Sequence, residues 1–145
     1  MFRAAAIALA GLVLVGCSTS AQVDNPFKGD DKEKTQLAAF AGQSQYPNKQ
    51  ASDDLKVTAL VDRKDGTIKI INTTQQSLSD TKLWVNGAYV IHIDTIPARG
   101  TVAIKRENLY NREGLSLAKA NAAVTKVQLE TGDKFYNLEG PAFEQ

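Results

Sequence analysis

From Leu55 onward the chain alternates apolar and polar residues every second position, and glycine-containing turns interrupt the pattern. That period confines this region to β-strands with one face toward a core. The first run, 55–61, sets Leu55, Val57, Ala59 and Val61 on one side. Arg63-Lys64-Asp65-Gly66 reads as a turn, and Thr67 to Asn72 as a second strand with Ile68 and Ile70 inward. Asn86-Gly87 then marks a hairpin between a third strand, Asp80 to Val85, and a fourth beginning at Tyr89. A two-residue loop would leave apolar side chains on both faces. A three-residue loop, Asn86-Gly87-Ala88, gathers Leu83, Val85, Tyr89, Ile91 and Ile93 on one face, and it is the expected register because a slip of one residue would turn a strand's core set to solvent.

Pro97-Ala98-Arg99-Gly100 leads into a fifth strand, Thr101 to Lys105, with Val102 and Ile104 inward. Residues 106–123 show no clear period; Glu107 to Tyr110 could form a helical turn, and Ser116 to Ala123 a helix or a crossing loop. Val124 to Glu130 and Lys134 to Leu138 form a further hairpin around Thr131-Gly132-Asp133. Seven short strands at this spacing predict an all-β antiparallel sandwich over residues 55–140, followed by a tail, 141–145. In strand number and spacing, Leu55 to Leu138 resembles an immunoglobulin-like domain, without the Cys-Trp-Cys core of antibody domains. The resemblance implies architecture and no activity.

The N-terminus obeys a different rule. Met1-Phe2-Arg3 gives a short basic start, and Ala4 to Val15 is a run of twelve residues with no charged side chain. At about 1.5 Å per helical residue the run reaches only about 18 Å, against roughly 30 Å of bilayer core. A basic start, a short apolar run and small residues at its end are the pattern of a cleaved secretion signal, here 1–16. Leu14-Val15-Gly16-Cys17 closes it and resembles the lipobox of bacterial lipoproteins. That resemblance implies cleavage between Gly16 and Cys17 and lipid on the Cys17 thiol, in place of any non-covalent cofactor. Two or three acyl chains, at about 0.8 kcal/mol per buried methylene, hold a protein to a membrane where one would not. Ser18 stands where Asp is the familiar inner-membrane retention signal of enteric bacteria, so an outer-membrane address is expected. The Asn86-Gly87-Ala88-Tyr89-Val90 stretch, followed by a Pro/Gly turn and a strand, is also similar to small bacterial envelope lipoproteins of unknown function.

Residues 17–54 are poor in apolar side chains and include the mixed-charge run Lys28 to Lys34. Such a composition predicts a flexible tether with a short helix at 34–41, and partial docking of Leu37, Phe40, Tyr46 and Pro47 onto the folded domain.

The chain has 17 basic and 16 acidic side chains; removing Arg3 with the leader leaves 16 of each. A balanced charge gives no field to recruit nucleic acid. One cysteine and one histidine cannot supply the usual zinc ligand sets, and no metal is expected. Serine-hydrolase elbows, phosphate-binding loops and dinucleotide fingerprints are missing from the sequence, so the chain reads as a non-enzyme. Asp62 and Asp65 in DRKDG lack the spacing and closing Glu of a calcium loop and read as a solvated turn. His92 with Asp94 reads as surface.

The bulged register puts Trp84 on the outer face with Val90, His92 and Lys82. Ordinary packing beneath the 40–46 segment or a neighbouring loop is expected for Trp84, since large exposed apolar patches are rare; left open, that face would be a binding surface for protein, glycan or a small ligand. The overall expectation is a membrane-anchored envelope lipoprotein whose sandwich serves protein interaction or structural support, with an envelope protein as partner. The second expectation is a ligand-binding module on an exposed Trp84.

Overall fold

The computed structural model describes residues 31–140. The expected signal peptide, Cys17, the start of the tether and the C-terminal tail lie outside the described residues. Seven strands follow one helix: α1 (Asp31–Gln43), β1 (Val57–Asp62), β2 (Thr67–Asn72), β3 (Leu78–Val85), β4 (Tyr89–Ile96), β5 (Thr101–Lys105), β6 (Val127–Thr131) and β7 (Lys134–Asn137). They form two antiparallel sheets, β1-β2-β5 and β4-β3-β6-β7, packed as a sandwich.

Alternation builds the space between them. Val57, Ala59, Ile68, Ile70 and Ile104 face inward from one sheet. Leu83, Val85, Tyr89, Ile91, Ile93, Val127 and Leu129 meet them from the other. The β3–β4 hairpin takes the three-residue loop, with Val85 opposite Tyr89 and Leu83 opposite Ile91. Asn86 (φ 55°) and Gly87 (φ 67°) adopt the left-handed conformations that this loop requires. The Asn86 side chain does more than turn. Its Oδ1 accepts the backbone N–H groups of Thr125 (2.8 Å) and Lys126 (3.2 Å), and its amide donates to the Ala123 carbonyl at 2.6 Å. One polar residue thus fixes both the hairpin and the entrance to β6.

Asn72 is the corresponding latch at the β2 end. It is 1% exposed, and burying an amide there costs free energy unless its polar atoms are paired. Its Nδ2 donates to the carbonyls of Gln76 and Pro97, and its Oδ1 accepts from the Thr74 amide and hydroxyl. Those bonds hold together the two loops that cross between the sheets.

Several boundaries differ from the sequence expectation. β3 begins at Leu78 rather than Asp80, because Asp80 sits at φ 51° inside the strand and interrupts the pairing without ending it. The pairing of β6 starts at Val127, although Val124 is fully buried in the core. Residues 106–126 form an irregular excursion opened by a single 3-10 turn, Arg106–Asn108, which plants Leu109 and Leu117 in the core.

The segment before β1 docks in part, as expected: Leu37, Phe40 and Tyr46 lie against the sandwich, while many of its other residues are exposed. Helix α1 contains the expected 34–41 segment, extends beyond it at both ends, and lies against β4. Asp31 and Glu33 in its first turn complement the helix dipole. The Ser44 N–H and hydroxyl both turn back to the Phe40 carbonyl and close its C-terminal end.

Candidate functional site

The outer face of β4-β3-β6-β7 carries the sequence-selected residues in two cross-strand rows. Val90, Trp84, Gln128 and Asn137 form one; His92, Lys82, Glu130 and Phe135 form the other. The expected grouping of Trp84, Val90, His92 and Lys82 on one face is therefore observed. Its exposure is not. Trp84 is 3% exposed and Val90 is buried, together with Tyr110, Phe135 and Ala41 of α1. Trp84 is packed rather than open: α1 and the segment after it cover the indole.

The cover is specific in its contacts. Ala41 is small enough for the helix to come close to the sheet. The Phe40 ring tilts against His92 at 5.9 Å between centroids. Tyr46 stands edge-on to Trp84 at 5.4 Å and to Phe135 at 5.5 Å, the geometry that ring quadrupoles favour. Its hydroxyl donates to Gln128 Oε1 and accepts from Lys126 Nζ at 3.1 Å. Further along, Ser52 pairs with the β7 edge through Ser52 N to Phe135 O (2.9 Å) and Asn137 N to Ser52 O (2.8 Å). Asn137 Nδ2 also donates to Asp53 Oδ1 at 2.8 Å.

Beneath this cover the sheet satisfies its own polar groups. Trp84 Nε1 donates to Glu130 Oε2 at 3.1 Å, and Gln128 Nε2 donates to Asn137 Oδ1 at 2.8 Å. Both sheet edges also carry local bridges. Val90 N donates to Tyr110 O at 3.0 Å on the β4 edge, while Ser52 engages β7, so neither edge is an open template for another strand.

His92 is flanked rather than free. Nε2 lies 2.8 Å from Asp80 Oδ1, and Nδ1 lies 3.2 Å from Asp94 Oδ1. The carboxylates sit at opposite ring nitrogens, so the three groups do not converge on one cation. No nitrogen is left open for base chemistry. Among the described residues no group of three His, Cys, Asp or Glu side chains could hold a metal ion. The three-residue-loop register puts Asp80 and Asp94 on the same outward face as His92, and the structure brings both carboxylates to its ring.

In the β1–β2 turn, Asp62 Oδ1 accepts the Lys64 and Asp65 N–H groups, and Oδ2 pairs with Lys69 Nζ at 3.0 Å. The Lys69 hydrogen bond, with those backbone donors, holds the Asp62 carboxyl below its usual value. This turn is structural, as its sequence suggested. A cleft of about 400 Å³ lies between the turn and the β5–β6 excursion, lined by Asp65, Gly66, Lys105, Arg106, Glu107 and Asn121 among others. It is open and mixed in charge, and its lining offers no convergent chemistry.

Fold and site together define an all-β sandwich whose outer face is covered by a helix and the segment after it. Neither known protein families, nor curated proteins, nor solved structures yield a match to this chain.

Proposed function

We propose that the protein is a lipid-anchored lipoprotein of the bacterial cell envelope, with an outer-membrane address. Its sandwich works by contact with another envelope protein or as structural support rather than by catalysis. One observation carries this reading: a twelve-residue apolar run, too short to cross a bilayer, ends in Leu14-Val15-Gly16-Cys17, and Cys17 is the sole cysteine of the chain. A thiol so placed accepts a diacylglyceryl group, and the lipid supplies the membrane attachment. Among the described residues no helix is long and apolar enough to cross a membrane.

We further propose that the sandwich is immunoglobulin-like. With strands taken in chain order as A, B, C, D, E, F and G, constant-type domains place ABED against CFG. Here β1-β2-β5 faces β4-β3-β6-β7, which is that arrangement with the fourth strand moved to the edge of the opposite sheet. The non-catalytic assignment draws on His92, whose two ring nitrogens each lie against a carboxylate, Asp80 and Asp94.

Mass spectrometry of the mature protein tests the anchor. A first residue at Cys17 bearing acyl mass supports it; another N-terminus, or an unmodified Cys17, contradicts it. Cys17→Ala should abolish incorporation of labelled palmitate and release the protein from membranes. Crosslinking in intact cells followed by purification from membranes tests the interaction role, which fails if only glycans or small molecules are retained.

A further inference from the structure

We propose that residues 31–53 act as a releasable clasp that sets how far the sandwich stands from its membrane, an inference that rests on the lipid-anchor reading. With the clasp docked, the first residue fixed to the domain is Asp31. From Cys17 to Asp31 is fourteen Cα steps, which limits the reach to about 50 Å whatever the conformation of the intervening chain. With the clasp released, the first fixed residue becomes Val57, and the limit rises to about 140 Å. The same chain thus offers a short anchor and a long one.

Three features make release feasible. Ala41 is the one α1 residue that is fully buried, so the helix holds by limited apolar contact. The two indispensable polar pairs beneath it, Trp84 with Glu130 and Gln128 with Asn137, lie wholly within the sheet and survive its departure. The interlayer core draws its buried residues from the strands, the excursion after β5 and Leu138; from α1 only Leu37, partly buried, packs against it. Release would bare Trp84, Val90 and Phe135 at the moment the anchor lengthens.

Trp84 is the only tryptophan, so its emission reports docking directly. A donor dye on Lys64→Cys, in the exposed β1–β2 turn, and acceptor-labelled phospholipid vesicles report the distance. In lipidated protein, Ala41→Glu should shift Trp84 emission to the red and lower energy transfer to the vesicle at equal membrane-bound fraction. Should Ala41→Glu fail to fold, Tyr46→Ala with Phe40→Ala removes the cover's aromatic contacts and leaves the interlayer core intact. Red-shifted emission with wild-type transfer would overturn the proposal, as would Trp84 remaining buried in both variants. Failure of the anchor itself looks different. Wild-type and Cys17→Ala proteins would then give the same negligible transfer, while Trp84 emission in the soluble proteins would still report whether the clasp releases.

Discussion

Leu83 and Trp84 are neighbours on β3, yet they belong to two different interiors. Leu83 points between the sheets into a core that is almost wholly aliphatic and supplied mainly by strands. Trp84 points outward into a smaller cluster of aromatic rings laced with hydrogen bonds, closed by a helix and an extended segment. The first interior needs both sheets, and both sheets are regular. The second exists only because a stretch of polar composition folds back. Large apolar side chains facing away from a sandwich core are therefore not evidence of a binding surface until the flanking chain has been accounted for.

The two interiors can be pulled apart by mutation. Trp84→Ala should cost about 3–5 kcal/mol, the range for truncating a buried large aromatic. Leu83→Ala should cost about 2–5 kcal/mol. Chemical denaturation measures both, and the two should differ in kind: the tryptophan variant should also lose helical signal as the cover detaches. A Trp84→Ala loss of less than 1 kcal/mol would return the indole to solvent and erase the distinction. Asn72→Ala probes a polar support of the inner layer. Deleting its amide removes the hydrogen bonds that tie β2 to both crossing loops, at about 1–3 kcal/mol for the several bonds lost.

Much of the inner layer is legible in the sequence, for a physical reason. A period of two is the signature of a half-buried strand, and in the β3–β4 hairpin only one register puts Leu83, Val85, Tyr89, Ile91 and Ile93 on one side. β2 and β5 have the expected limits. Where a residue is buried without a period, the reading falters. Leu109 and Leu117 reach the core from irregular backbone, so no alternation announces them. The cover is legible in part: Leu37, Phe40 and Tyr46 stand out as the apolar side chains of a polar stretch and are expected to dock, whereas the limits of α1 beyond 34–41 lie among charged and polar residues that carry no such signal. The outward direction of Trp84 was readable from parity, whereas its burial depends on a segment more than thirty residues earlier in the chain.

Smaller effects sharpen the same contrast. Tyr46→Phe keeps both edge-on ring contacts and removes the hydroxyl that links Gln128 to Lys126, so the outer layer should lose about 1 kcal/mol while the inner one is untouched. Thermal melts followed separately by Trp84 fluorescence and by β-sheet circular dichroism would show whether the outer layer alone shifts. The smallest effect belongs to Asp62. Its carboxyl is held low in the folded state, so its contribution is present at neutral pH and disappears as pH falls below the ordinary carboxylate value and through the folded one. Asp62→Asn should slightly lower stability at neutral pH, converge with wild type in acid and so flatten the acid limb of the stability profile; the effect is small because the pair is solvent-screened.

Hydrogen exchange on the full chain, resolved by residue, tests the two-layer arrangement most directly. The α1 amides from Ala38 to Gln43 should exchange markedly slower than a free peptide, yet faster than those of β2, β3 and β6, since the cover opens without the sandwich unfolding. Exchange of those helical amides at free-peptide rates would mean that Trp84 has no lasting cover, and the second interior would not exist.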